Sequence, residues 1–486
     1  MKSDKLMKLC QSVKAHFTGM RLLLLLMVVL PGLGAVSCID DSISTSPHDL
    51  LSFSRDTVNF DTVFTDLTTP TARLVVRNRA KKGLNISSIK FKRTDTRFRL
   101  NVDGVSGNEF HNVEIRGRDS IYVFIECMIP ETEGNTPRLE ADDLEFVTNG
   151  VTQTVRVEAY GQNVTRLRNV RVSGDMRLTA DRPYVIFDSL TVERGAVLRI
   201  DPGVQMLFHD GASLVVEGRI EALGEAGKLI NMRGDRLDNV LPDVGYDILA
   251  GQWRGVRIAA CSFDNRLEFV DMRSTVRGLE LDSCGDLSRQ KLTLRNSWLH
   301  NSQGNVLTSR YAKVDAFGCC FSEAAESVVR LEAGVHEFLQ CTFANYYLFS
   351  SIGGAMIWLE GVSEDDNNPD FVPMKARFLN SIVYGLGDTV NIGELTGTQV
   401  FFKYVSFGVK GDNDDNFVAC LWDTDPMFLT RRDDYYFNYR LQEDSPVAAA
   451  GNPDFVTPAV AVDMYGVSRL GHGNPSLGAF QVDFNK

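Results

Sequence analysis

The chain has 486 residues, with 51 Lys and Arg against 63 Asp and Glu, a formal net charge of −12. That balance argues against a nucleic-acid binder, which needs a basic face, and against broad capture of polyanions, while leaving room for a local basic groove. The length allows two or three domains, each able to bury its own core.

Lys2, Lys5, Lys8, Lys14 and Arg21 precede an unbroken apolar run, Leu22 to Leu30. Positive charge followed by so short a run fits a secretory signal and is too short to span a membrane. No later stretch is apolar enough to do so. Pro31-Gly-Leu-Gly-Ala-Val-Ser37-Cys38 follows. It resembles a bacterial lipobox, with Ala35 where Leu is usual, and the resemblance implies that Cys38 is lipidated. Ile39-Asp40-Asp41 resembles the surface-export signal of Bacteroidetes lipoproteins. The expected address is the outer membrane, held through acyl chains, facing either the periplasm or the cell surface. A plain thiol after an apolar run is the alternative for Cys38. Without residues 1–38, basic residues fall to 46 and acidic residues to 62, a net charge of −16.

Seven cysteines follow Cys38. An odd number is a poor disulfide framework, and no CxxC pair suggests zinc. Residues 39–50 are rich in Ser and Asp and read as a tether. Over 51–165 come short alternating runs: Leu74–Val76, Ile86–Phe91, Phe98–Val102, Val113–Ile115, Ser120–Ile125, Leu144–Phe146 and Val155–Val157. Asn149-Gly150 between two such runs is a hairpin signal. About seven strands at this spacing predict an antiparallel β-sandwich. The last pair resembles the final hairpin of bacterial immunoglobulin-like modules, which implies a spacer or docking role. His111 reads as a surface residue.

From residue 166 to 486 the pattern changes. Very short alternations, Ala196–Ile200, Val204–Phe208 and Leu214–Val216, are separated by glycines that tighten corners. Gly234 to Leu249 reads as an inserted polar loop. A triplet of small residue, any residue and large apolar residue then recurs at Ser297, Cys319, Cys341, Ser381 and Val405, at intervals of 22, 22, 40 and 24. A looser copy aligns Leu267–Met272 with Leu292–Ser297, an interval of 25. The preceding residues, Asp271, Asn296, Gly318, Gln340 and Asn380, suit a bend between two strands. The interval of 40 holds one coil plus a polar insertion at 363–373. Repeats of this length predict a solenoid, because one unit cannot bury its apolar face alone. Cys319 and Cys341 would then stack with parallel Cβ vectors, as small buried hydrophobes rather than a disulfide.

Leu198-Arg-Ile-Asp-Pro-Gly-Val204 and Gly251-Gln-Trp-Arg-Gly-Val-Arg-Ile258 resemble the first coils of Bacteroidetes parallel β-helix proteins. Asp425-Pro-Met-Phe428, Asp463 to Arg469 and Pro475 to Phe480 resemble the C-terminal end of secreted members of the right-handed parallel β-helix superfamily. The resemblance covers roughly residues 185–480 and implies an all-β chain closed by last coils and a cap.

No catalytic constellation stands out. The candidate bases of a lyase are Lys291, Arg295, Arg310, Lys313, Arg330 and His336, of which Arg310, Lys313, Arg330 and His336 are spaced to share a face. Asp423 and Asp425 mimic a hydrolase pair, and clustered carboxylates at 411–416 allow calcium, although no closing glutamate follows at EF-hand spacing. Otherwise no cofactor is expected. Trp253, Tyr346, Tyr347 and Trp358 are candidate glycan contacts, with coil packing as the other reading of Trp253. The leading expectation is a non-catalytic, lipid-anchored surface scaffold or interaction platform. The alternatives are a glycan-binding protein and a polysaccharide lyase or glycoside hydrolase, so the expected partner is a polysaccharide or a surface protein. Cys38→Ser should release the protein from the membrane fraction and abolish its labelling by radioactive palmitate. Unchanged labelling would remove Cys38 from consideration.

Overall fold

A computed structural model of the chain describes residues 42–241, 244–360, 374–392, 399–430, 435–471 and 473–483. Cys38 and the insertion at 363–373 lie outside them. The chain divides into two compact units. One comprises the chain up to Asn59 with Thr68–Met128 and Glu140–Ala159; the other comprises Phe60–Leu67, Ile129–Leu139 and everything from Tyr160. Among the described residues there is no α-helix, only three short 3-10 turns.

The N-terminal strands form two antiparallel sheets. One orders Leu51–Phe53, Ala72–Asn78, Ser120–Cys127, Phe98–Val102 and Val105–Gly107. The other orders Thr57–Phe64, Val151–Gln162, Arg138–Thr148, Leu84–Phe91 and Glu109–Phe110, with Val113–Ile115 also on Leu84–Phe91. All seven expected runs are strands. Asn149 and Gly150 turn the hairpin with φ of 51° and 76°, the left-handed pair that a tight two-residue turn demands. Residues 42–50, read as a tether, are held in place: Ile43 pairs with Gly83, and the Asn149 side chain donates to the Ser46 carbonyl at 2.9 Å.

The second unit is a 23-stranded parallel sheet, consistent with a parallel β-helix. Each strand pairs with one about a coil later. Ala316 faces Phe338, Phe338 faces Phe378, and Phe378 faces Phe402, at steps of 22, 40 and 24 residues. Stacked strands stand about 4.8 Å apart, close to the separation of stacked rings. Phe338 lies on Phe378 at 5.0 Å, Phe378 on Phe402 at 4.6 Å and Phe402 on Phe417 at 4.9 Å. Leu, Ile and Val fill the same interior in earlier coils, including Leu198, Ile220, Leu267 and Leu294.

The bend between strands is a column of left-handed residues: Phe269, Asn296, Gly318, Gln340, Asn380 and Tyr404, with φ between 44° and 65°. This corrects one expected alignment. Leu267 faces Leu294, not Leu292, and Asp271 faces Trp298, so the interval is 27 and the bend residue is Phe269. From Ser297 onward the register follows the triplets, Trp298 facing Cys320, Cys320 facing Thr342, Thr342 facing Ile382 and Ile382 facing Ser406. The seven described cysteines are free; six are buried and Cys261 is exposed.

The C-terminal motif lies elsewhere than expected. Phe417 and Trp422 cover the last coil, stacked on Phe402 and Phe407. The segment after Asp425 is instead a strap along the side of the coils. Its Phe428, Tyr439, Leu477 and Phe480 pack on Cys320, Ala344 and Ile382 from three successive coils. Asp463 accepts the N–H groups of Tyr465, Val467 and Gln481, each at 2.9 Å. Arg469, fully buried, donates to Gln340 Oε1 at 3.2 Å and to the carbonyls of Gly478 and Ala479 at 3.2 and 2.6 Å. Burial pulls its guanidinium down to about 10. The motif is therefore a fastening, which explains its polar members.

The ring stack should dominate stability. Phe378→Ala leaves a void between two coils and should cost about 3–5 kcal/mol, measured by urea denaturation. A loss below about 1 kcal/mol would show that the stack is not holding the coils together.

Candidate functional site

A cavity of about 180 Å³ opens on the side of the second unit. Three coils build its floor. Arg273, His300 and Ser322 stand in register, as do Asp271, Trp298 and Cys320. In each coil a left-handed residue comes near the strand's end: Ser274 at φ 66°, Asn301 at 57° and Glu323 at 49°. Non-glycine residues hold that conformation only where the surroundings fix them. Ser274 Oγ donates to the Asp247 carbonyl at 2.8 Å. Asn301 Nδ2 donates to the carbonyls of Asp247 and Ile248 at 3.2 and 2.8 Å. The two side chains thereby pin the turn Tyr246–Ile248, which delivers the Asp247 carboxylate to the cavity.

That carboxylate sits 3.3 Å from Arg233 and 3.1 Å from Arg273. It also accepts the Tyr436 hydroxyl at 3.3 Å. Arg273 reaches Asp271 at 2.9 Å. His300 bridges two acids, with Nε2 3.1 Å from Asp271 and Nδ1 3.8 Å from Glu323. Glu323 accepts the Tyr439 hydroxyl, and the Ser322 hydroxyl at 2.7 Å. The Trp298 indole N–H donates to Ser322 Oγ at 2.8 Å, and its ring stacks on His300 at 4.4 Å.

The two acids beside His300 are pushed in opposite directions. Burial raises Asp271, but Arg273, His300 and Arg233 outweigh it and hold the group below the usual carboxylate range. Burial raises Glu323, and its contacts with His300, Tyr439 and Ser322 offset this only in part. Such divergence between neighbouring acids is characteristic of functional sites. Above this floor stands an aromatic rim. Phe349, Tyr435 and Tyr436 are 43%, 44% and 48% exposed, and Tyr347 lies beneath, edge-on to Phe349 at 5.8 Å.

Of the four candidate glycan contacts, only Tyr347 lines this cavity. Trp253 is wholly buried, stacked on Phe208 at 3.9 Å with its N–H on the Arg273 carbonyl at 2.8 Å, so no ring face is left for a sugar. Tyr346 is buried against Phe437. Trp358 stands one coil beyond Arg330, whose guanidinium lies 5.2 Å from its ring.

The candidate bases do not converge. His336 points into the core and Lys291 is fully buried, its Nζ donating to the Ala259 and Ala260 carbonyls. Arg310 lies between Glu280 and Glu332, and Arg330 between Glu332 and Glu360. At 411–416, Asp414 accepts the N–H groups of Asn416 and Phe417. Among the described residues no three His, Cys, Asp or Glu side chains cluster to hold a metal. Asp425 accepts the Met427 N–H at 2.8 Å, a turn contact.

No family model matches the chain, and no curated protein matches it. Among the solved structures that resemble parts of the chain, two weak likenesses are as follows. One is a protein of unknown function from Porphyromonas gingivalis W83, at 13% identity and TM-score 0.18, covering 26% of this chain and 50% of that one. The other is a family 123 glycoside hydrolase from Clostridium perfringens, at 9% identity and TM-score 0.17, covering 23% of this chain and 26% of that one. The chain thus spans half of the first structure and about a quarter of the second.

His336 provides a pH test of the core. Burial pulls its imidazole down to about 4. Between that value and the ordinary histidine range the unfolded chain binds one more proton than the folded chain, so stability falls as pH falls through the window. His336→Met should flatten this part of the stability profile, read from thermal unfolding across pH 4 to 7. An unaltered slope would mean that His336 is charged or solvated in the native state.

Proposed function

We propose that the protein is an exported, lipid-anchored platform of the right-handed parallel β-helix kind, with an immunoglobulin-like N-terminal module, that binds carbohydrate in its side cavity. The observation that carries this is the aromatic rim of Phe349, Tyr435 and Tyr436 over a floor of Asp247, Asn301, His300 and Glu323. A sugar presents apolar C–H faces and hydroxyl edges. Rings take the first, and rigid, prepaid hydrogen-bonding groups take the second. The cavity volume suits one or two sugar residues rather than a long chain.

The outer faces favour a platform over a lyase. Arg199 links Asp175 and Glu221 from the coils on either side, at 2.6 and 3.1 Å; Arg310 is paired in the same way with Glu280 and Glu332, and Arg330 meets Glu332 of its own strand and Glu360 of the next coil. Among the described residues, alternating charge of this kind leaves these arginines paired rather than open to a polyuronate. Hydrolysis is the second reading, favoured by two neighbouring acids, Asp271 and Glu323, on either side of His300 and pushed in opposite directions.

The purified protein in detergent should bind members of an oligosaccharide panel by calorimetry, with quenching of tryptophan fluorescence. Tyr436→Ala, which removes both a rim ring and a hydrogen bond to Asp247, should weaken binding about tenfold. New reducing ends, followed in the same samples, would promote the hydrolase reading. No binding by any member would overturn the carbohydrate reading and leave a protein partner to be sought.

A further inference from the structure

From the charge pairing inside the cavity, and resting on the carbohydrate reading, we infer that the site selects neutral sugars and rejects uronates and other acidic sugars. Among the described residues around the cavity, both arginines are already engaged. Arg233 faces Asp247, and Arg273 faces both Asp247 and Asp271. His300 lies between Asp271 and Glu323. The acceptor that lines the cavity and still meets solvent is the Asp247 carboxylate. Its two oxygens are held at 3.1 to 3.3 Å by two arginines and a tyrosine hydroxyl, so it is fixed in place while still 15% exposed.

A neutral sugar suits this arrangement. Vicinal hydroxyls donate to the fixed carboxylate, and a ring face lies against the aromatic rim. Glu323, already accepting from Tyr439 and Ser322, adds a buried acid rather than a cation to the floor. A sugar carboxylate entering the same space meets Asp247 at close range and, among the described residues, finds no arginine that lacks an acid partner. Like charges brought together in a partly desolvated site cost far more than the loss of a neutral hydrogen bond. The discrimination is built from pairing already complete within the protein, not from the shape of the rim.

The test uses matched pairs that differ only at C6: methyl glucoside with methyl glucuronide, methyl galactoside with methyl galacturonide, and methyl mannoside with methyl mannuronide. Each is titrated into the purified protein by calorimetry at neutral pH. At least one neutral member should bind, with its uronide weaker by about tenfold or more. Asp247→Asn should weaken the neutral sugar and shrink the gap within the pair. Arg330→Ala, on the outer face, should change neither. A uronide binding as tightly as its neutral partner would overturn the selectivity while leaving the carbohydrate reading intact. If no member of any pair bound and the oligosaccharide panel were also silent, the carbohydrate reading itself would fall. Loss of both affinities in Asp247→Asn with an unchanged melting temperature confirms a binding role. A lowered melting temperature in that variant shifts the decision to the wild-type ratio within each pair, which alone suffices.

Discussion

The spacing between stacked strands, about 4.8 Å, governs this molecule. It lets Phe338, Phe378, Phe402 and Phe417 lie ring on ring through the interior. Outside, it sets Arg199 within reach of acids one coil before and one coil after. At the bends it aligns Asn296, Gly318, Gln340 and Asn380, where the strap is later fastened through Gln340 and Asn380. It also places Arg273, His300 and Ser322 side by side, which gives the cavity its floor. One repeat distance thus serves packing, surface electrostatics and the site.

The site nevertheless works against the fold's economy. Asp247, Asp271, Glu323, Arg233, Arg273 and His300 are all largely withdrawn from water. Removing charges from water is costly, and their mutual attraction only roughly offsets that cost. A solenoid of the same length could be built more simply with leucines at those positions. Concentrating the groups in three coils matches a site where local packing rules are broken. The outer ion-pair ladders have no such cost, because they remain partly solvated.

Much of the architecture was legible from spacing alone. The triplets at Ser297, Cys319, Cys341, Ser381 and Val405 carry the register because the residue after each bend turns inward where one coil packs on the next. The reading failed one coil upstream for a physical reason. Phe269 occupies a left-handed bend where a polar residue or glycine is expected, so Asp271 was taken as the bend and the alignment slipped by two. With that slip, Arg273 no longer lines up with His300, and the charged column under the cavity is hidden. The correct interval of 27 would have exposed it. The remaining members were not legible at all. Tyr436 meets Asp247 across 189 residues, and no local pattern encodes such a meeting. The strap motif from Asp463 to Phe480 was visible as a motif, but its seat was not, since a lone arginine does not announce that its partner is a glutamine 129 residues away.

The strap also decides when the site exists. Coils add one upon another through neighbouring contacts, so a solenoid grows locally. The cavity does not. Its floor comes from coils completed by residue 324, but Tyr436 and Tyr439, which fix Asp247 and Glu323, lie beyond the last coil. Without them, His300 and Glu323 lack their cover, and the burial that raises Glu323 is incomplete. The enclosed cavity is therefore a property of the closed molecule, not of the coils. A fold of this kind does not by itself confer an activity; here the cavity is completed by the segment that returns across it.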